Sequence, residues 1–388
     1  MESDEKYYKH FATKAIHSGQ VPDPTTGAIM PPIYQTSTYV QEYPGKHKGY
    51  AYARGKNPTR DALQRNIAAL ENGAFALCFS SGMGAMDAVI KLLKPGEEVI
   101  TGNDLYGGSY RMFKKIFEPF GIRFHFIDLT HATNILSYIN KNTRLIWVET
   151  PTNPTMQIVD IEAYARIARQ NNILLAVDNT FASPYLQNPL NLGADIVMHS
   201  VTKYLGGHSD VVMGALVMNR QDLYEQLSFI HNSCGATPGP MDSFLVLRGI
   251  KTLHVRMERH CENGEAVARF LRNHSAIEKV YWPGFPDHPN HEIAKKQMKN
   301  FGGMVSATLK NASLEKTFKI ASSFKVFSLA ESLGGVESLV NHPATMTHAS
   351  IPKEEREKSG VTDNLLRFSV GIEDIRDLIS DLEQALKS

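Results

Sequence analysis

Cysteine is scarce in this 388-residue chain: Cys78, Cys234 and Cys261 are odd in number and far apart. That excludes a disulfide framework and a four-ligand zinc site made of cysteine alone, and it fits a reducing compartment. Charge of one sign is lacking too. Lys plus Arg (41) almost cancels Asp plus Glu (40), so nucleic acid or an anionic membrane could be held only by a local cluster, and none is found. The densest charged run, 353–358, mixes both signs and reads as a solvated face. No apolar run approaches a membrane span, and residues 1–10 lack the apolar core of a signal peptide. A cytoplasmic protein is expected. Of the 15 histidines, the pair worth weighing as metal ligands is His288 and His291, but they flank Pro289 in a proline-rich loop. No metal is expected.

What is present is an ordinary globular composition, 42% hydrophobic, on a chain long enough for two or three domains. Residues 1–60 carry Pro22, Pro24, Pro31, Pro32, Pro44 and Pro58 among many Gly, Thr and Tyr, which predicts an extended arm lying on something else. From 61 the texture alternates. A helix is expected over 62–72, a strand over 74–79, and then a helix carrying Met83, Met86, Ile90 and Leu93, with Ser80 and Ser81 as cap candidates and Lys94, Pro95 and Gly96 as its stop. Short, uniformly apolar runs at 98–100, 124–127, 145–148, 173–177, 196–198 and 214–217 read as buried strands, with a helix over 160–170 between two of them. The pattern is that of a mostly parallel, doubly wound α/β sheet, which binds ligands at the carboxyl ends of its strands. Beyond residue 256, strands at 304–309 and 365–370 and a helix over 375–386 suggest a smaller C-terminal α/β domain. The expected division is an arm (1–60), a ligand-binding domain (61–256) and that C-terminal domain (257–388).

Three strand ends carry an unusual polar set. The run 145–148 leads to Glu149 and then Pro151, Thr152, Asn153 and Pro154; 173–177 leads to Asp178, Asn179 and Thr180; 196–198 leads to His199, Ser200, Val201, Thr202 and Lys203. Singly, each is commonplace: a lone Lys is usually solvated, and an Asp there is often a turn residue. Together they suit one chemistry. A Lys amine, unlike Arg, can lose its proton and act as a Schiff-base nucleophile, which fits Lys203. A pyridine cofactor works as an electron sink only while a carboxylate keeps its ring nitrogen protonated, which fits Asp178. The turn Ser81, Gly82, Met83 at a helix start offers backbone N–H donors to a phosphate, and Ser200 and Thr202, two apart on an extended segment, would put both hydroxyls on one side.

These residues resemble the Cys/Met-metabolism enzymes dependent on pyridoxal 5′-phosphate, of the aspartate-aminotransferase-like fold type I. The resemblance covers almost the whole chain. It is carried by Tyr52-Ala-Arg54 with Asn57-Pro-Thr-Arg60, Ser80-Ser-Gly-Met83, Asp104-Leu-Tyr-Gly-Gly108, Glu149-Thr-Pro-Thr-Asn-Pro154, Val177-Asp-Asn-Thr180, His199-Ser-Val-Thr-Lys-Tyr204 and Ala330-Glu-Ser-Leu-Gly-Gly335. It implies a mostly parallel, seven-stranded-type sheet with a smaller C-terminal α/β domain, and pyridoxal phosphate held as an internal aldimine on Lys203. It further implies that Asp178 pairs with the ring nitrogen beside Thr180, that Tyr106 stacks on the ring, and that Ser81, Gly82, Met83, Ser200 and Thr202 take the phosphate. Tyr52 and Arg54 would come from a neighbouring subunit of a homotetramer built as a dimer of dimers. Arg367, with Asn153 and Ser332, would grip the α-carboxylate of a small amino-acid substrate.

The resemblance also bears on the reaction. Arg111 is similar to the arginine that the γ-acting branch directs at the far polar end of cystathionine, and Glu331 fits that branch as well. Gly108 stands where methionine γ-lyases carry a reactive cysteine. Ala51 replaces an acidic residue common in γ-lyases. The implied activity is cystathionine γ-lyase, giving cysteine, 2-oxobutanoate and ammonia, with Lys203 moving protons at Cα, Cβ and Cγ and Tyr106 assisting. The alternatives are γ-synthase, β-lyase, or a binding module that has lost the cofactor.

Overall fold

A computed structural model describes residues 7–387; the first six residues of the expected arm and Ser388 lie outside them. The strands in chain order are β1 (Phe75–Phe79), β2 (Glu98–Gly102), β3 (Arg123–Ile127), β4 (Thr143–Glu149), β5 (Leu174–Asp178), β6 (Ile196–Ser200), β7 (Gly214–Met218), β8 (Ile277–Tyr281), β9 (Met304–Leu309), β10 (Ser328–Leu329), β11 (Leu339–Asn341) and β12 (Leu365–Ser369). The chain forms two compact units. One takes the chain up to Leu92 together with Asp195–His254; the other takes Leu93–Ala194 together with the chain from Val255.

In the first unit β7 lies between β1 and β6 and runs antiparallel to both, with Gly214 opposite Phe79 on one side and Ser200 on the other. The helix Pro58–Leu70 begins earlier than the sequence reading placed it. Asn57 caps it by accepting from the N–H groups of Thr59 (3.0 Å) and Arg60 (3.3 Å), and Pro58 at the first helical position has no N–H to satisfy. The expected arm also contains a helix, Phe11–His17. Asn66 holds that helix by donating to the carbonyls of Lys14 (3.1 Å) and Ser18 (2.9 Å). Proline content therefore marks the arm only in part.

In the second unit β5-β4-β2-β3 are parallel throughout, and Glu149 ends β4 directly beside Asp178 at the end of β5. Leu145, Ile146, Trp147 and Val148 of β4 are buried on both faces, as a uniformly apolar strand requires. Asp160 caps the helix Ile161–Gln170 through the N–H of Ala163 at 3.0 Å, and Ile161, Tyr164 and Ala168 form its buried stripe. A second sheet, ordered β10-β11-β12-β9-β8, covers its core with the helix Ile375–Leu386. Leu378 and Leu382 of that helix pack with Val305, Phe327 and Phe368, each worth about 2 kcal/mol of burial. The edge strand β8 was not anticipated, because its Glu278 and Lys279 break the apolar pattern. Among the described residues no helix is long and apolar enough to cross a membrane. His288 and His291 each bond a different backbone carbonyl, those of Met156 and Pro283.

Candidate active site

The expected site residues divide between the two units. In the first, β1 leads into the helix Gly82–Ile90, capped by Ser81. The Ser81 side chain accepts from the N–H of Gly84 (3.0 Å) and its carbonyl from that of Ala85 (3.1 Å), leaving the N–H groups of Gly82 and Met83 without intrahelical acceptors. The turn is tightly enclosed. A Cβ on Gly214 would lie 2.2 Å from the Ser81 carbonyl oxygen, and one on Gly82 would lie 3.2 Å from Ser200 Oγ. The end of β6 is anchored by His199, whose Nε2 meets Glu71 Oε1 at 2.5 Å with both side chains almost fully buried.

Beyond Ser200 the chain does not stay extended. The N–H of Lys203 bonds back to the Ser200 carbonyl at 3.1 Å, and Gly206 and Gly207 continue the turn. The two-residue alternation expected to align Ser200 with Thr202 is therefore absent. Thr202 Oγ1 instead accepts from the N–H of Met213 (3.0 Å) and lies 3.3 Å from its carbonyl. Lys203 is half-buried. Tyr52 is exposed, and Arg54 donates to the carbonyl of Asn232 at 3.0 Å.

In the second unit Asp178 is buried and accepts from both the N–H (3.0 Å) and the hydroxyl (2.5 Å) of Thr180. Tyr106 precedes the helix Gly107–Met112, and its ring lies over Gly108, where a Cβ would fall 2.3 Å from Tyr106 Cε1. Arg111 on that helix and Glu331 are exposed. Arg367 on β12 is only 1% exposed; its Nη1 donates to Asn153 Oδ1 and its Nη2 to the Ser332 carbonyl, both at 2.8 Å. The three residues expected to take a carboxylate are thus brought together.

The chain matches, over residues 12–387, the family of Cys/Met metabolism PLP-dependent enzymes. It belongs to that family. A cystathionine β-lyase of Coxiella burnetii is 51% identical over the whole of both chains. A cystathionine γ-lyase of Dictyostelium discoideum is 51% identical over 96% of this chain and 97% of its own, and a cystathionine γ-synthase of Mycobacterium bovis is 52% identical over 97% and 96%. The crystal structure of a cystathionine γ-lyase from Lactobacillus plantarum, complexed with L-serine, superposes with a TM-score of 0.95 at 42% identity over 98% of this chain and 99% of that one. The family member described here is therefore a pyridoxal-phosphate-dependent enzyme of fold type I and, by class, a carbon–sulfur lyase of trans-sulfuration.

The residues present fit that cofactor. In the first unit, two N–H groups open a helix whose Gly82 packs closely on Ser200, so that a Cβ there would lie 3.2 Å from its hydroxyl. In the second, a buried carboxylate ends a strand with its neighbour Thr180 donating to it. Two groups had no role in the sequence reading. Glu149 was visible only as a motif member, yet its buried carboxylate accepts from the N–H groups of Tyr106 (3.0 Å) and Asn153 (2.8 Å). Burial, the Asp178 charge and, more weakly, that of Asp104 raise its pKa well above the ordinary carboxylate range, against those hydrogen bonds. Asp104 itself is buried, with the hydroxyls of Thr152 and Thr155 donating to Oδ2 and the backbone of Thr155 helping more weakly, and is pushed up to about 6 by desolvation.

Proposed function

We propose that this enzyme is a cystathionine γ-lyase, converting L-cystathionine and water to L-cysteine, 2-oxobutanoate and ammonia. The observation that carries the reading is the Arg367 fork, buried and already aimed by Asn153 and Ser332. A guanidinium held by neutral acceptors can take a substrate α-carboxylate bidentately. Cystathionine is an amino acid at both ends, and the exposed Arg111 and Glu331 offer one charge of each sign to the far carboxylate and ammonium. Gly108 supports the same choice, since it puts no thiol where methionine γ-lyases carry a reactive cysteine.

Pyridoxal phosphate, when bound, supplies an aldehyde for amines and a protonated ring that draws electrons from Cα. Lys203 provides the amine that holds it, Asp178, steadied by Thr180, the counter-charge to the ring nitrogen, and Tyr106 the stacking face. Ser81, Gly82, Met83, Ser200 and Thr202 hold the phosphate, with Thr202 turning its hydroxyl proton from the Met213 carbonyl while still accepting from the Met213 N–H. The Lys203 amine takes a proton from Cα and then one from Cβ. The Cγ–S bond breaks as the sulfur leaves as the thiol of cysteine, on a proton passed by Lys203 or the Tyr106 hydroxyl. Protons returned at Cγ and Cβ leave a product that water hydrolyses to 2-oxobutanoate and ammonia. Tyr52 and Arg54 complete the phosphate site of a neighbouring copy within a cytoplasmic homotetramer. The exposure of Ile29 (83%) and Val40 (94%) on the arm supports its lying against another chain. The division into arm (1–60), cofactor domain (61–256) and C-terminal domain (257–388) belongs to the same proposal.

The test is incubation with cystathionine and identification of the keto acid. 2-Oxobutanoate is expected. Pyruvate would make the enzyme a β-lyase, and turnover only with an acylated homoserine and cysteine would make it a synthase.

A further inference from the structure

Asn153 is held at three points within the second unit. Its N–H donates to Glu149 Oε1 (2.8 Å), its carbonyl accepts from His348 Nε2 (3.1 Å), and its side-chain Oδ1 accepts from Arg367 (2.8 Å). The second oxygen of Glu149 takes the N–H of Tyr106 at 3.0 Å, so one carboxylate ties the backbone of Tyr106 to that of Asn153. Glutamine cannot do the same, because it has one oxygen where glutamate has two.

His348 is also defined by its partners. A carbonyl can only accept, so Nε2 carries the hydrogen toward Asn153, the backbone of Leu105 also faces the ring, and Nδ1 pairs with the Thr347 hydroxyl at 2.8 Å. Burial first, and the nearby Arg367 charge second, hold the ring neutral with its pKa lowered to about 4. The segment cannot drift, for it is seated on the residue after Tyr106: a Cβ on Gly107 would lie 2.2 Å from the Thr347 carbonyl oxygen.

We infer that Glu149 and His348 are positioning residues that clamp the Asn153 peptide through its N–H and its carbonyl, and so fix the spacing between Tyr106 and the Asn153–Arg367 carboxylate grip. This rests on the reading that Asn153 and Arg367 take the substrate carboxylate.

The test compares the holoenzyme with His348→Ala, His348→Gln, Glu149→Gln and Arg367→Ala. Glycine binding is followed through the visible band of the cofactor, and amide hydrogen exchange over residues 149–157 is followed in the cofactor-free protein. His348→Ala is expected to stay yellow and to bind glycine about tenfold more weakly, the loss of one ordinary hydrogen bond. His348→Gln, whose amide reaches the same carbonyl, should regain most of that. Glu149→Gln should weaken glycine binding and also shift the visible band, because one of the two N–H groups loses its acceptor. Exchange over 149–157 should quicken in both His348→Ala and Glu149→Gln. Unchanged glycine affinity and exchange in these two variants, or a His348→Ala defect that glutamine does not repair, would overturn the clamp. Undiminished glycine binding in Arg367→Ala would instead sink the carboxylate reading, with hydrogen exchange still reporting on the clamp. Wild type that binds glycine but leaves cystathionine intact would sink only the γ-lyase reading.

Discussion

Arg367 Nη2 donates to the carbonyl of Ser332 at 2.8 Å, and Ser332 presents that carbonyl from a left-handed backbone, φ +83°. A non-glycine residue in that region is strained by about 1–3 kcal/mol, a cost that persists at functional sites when the surroundings fix the conformation. The strain and the fork belong to one device: the carbonyl and Asn153 Oδ1 hold the guanidinium plane still before a carboxylate arrives.

Replacing Arg367 by lysine tests that plane. Lysine keeps the charge but cannot donate to both acceptors from a rigid fork. Steady-state kinetics with cystathionine should show KM raised by roughly 10- to 100-fold, the scale of a hydrogen bond to a charged group, with a smaller change in kcat. An unaltered KM would remove Arg367 from the carboxylate.

Gly108→Ala addresses Tyr106. The added Cβ would stand 2.3 Å from Cε1 of the ring, so the ring must swing aside, and because Tyr106 is 38% exposed it has room to do so. Thermal stability should therefore change by less than about 1 kcal/mol. kcat should fall by about tenfold or more, part of what general acid–base assistance is worth. The visible band should shift as stacking is lost, and a variant with full activity would deny Tyr106 its place.

Much of this was legible in the residues. The apolar strand runs, the Ser81-Gly82 turn and the polar residues after each run mark where chemistry sits, because each depends on local backbone rules; the helix start at Asn57-Pro58 was missed, since Pro58 was counted with the prolines of the arm. The sequence reading put Asp178 and Glu149 just after strands; both are in fact the last residues of them. What could not be read depends on distant backbone. One bond of Glu149 goes to the N–H of Tyr106, 43 residues earlier, His348 acts on a carbonyl 195 residues away, and Thr202 bonds Met213 across a turn. None leaves a periodicity or a spacing signal. The helix Phe11–His17 was hidden for another reason, since proline and glycine around it dominate the local composition.

Whether Arg54 works in its own subunit or in a neighbour's is decided by mixing two inactive variants. Arg54→Ala and Lys203→Ala each disable a different component. If the arm reaches across, a hybrid dimer contains one site with both residues intact. Co-refolded mixtures should then recover about a quarter of wild-type activity, one site in two within half of the dimers formed at random. Recovery no greater than the sum of the two parents would place Arg54 in its own subunit.

The final prediction concerns Asp104, whose folded-state pKa of about 6 lies above the ordinary aspartate value because desolvation outweighs the hydroxyls of Thr152 and Thr155. Between the two values the native state holds a proton that the unfolded chain has released, so this group lowers stability as pH rises from about 4 to 6 and holds it down above that. The buried histidines act in the opposite sense. His231, His260 and His348, each lowered to about 4 mainly by burial, make the native state lose stability as pH falls below about 6.5. Wild-type stability alone cannot separate these contributions, but Asp104→Asn can, because it keeps an acceptor oxygen for the threonines and cannot ionise. Denaturant unfolding should show the variant more stable than wild type at pH 8, by up to about 3 kcal/mol for a shift of this size. The advantage should shrink as pH falls through 6 toward 4, where Asp104 of the wild type is protonated. Glu149 remains in both proteins, and because the Asp104 charge is one cause of its raised pKa, removing that charge relieves it and adds to the variant's advantage at high pH in the same direction. An advantage that stays constant between pH 4 and pH 8 would show that Asp104 does not titrate there and that its burial carries no charge penalty.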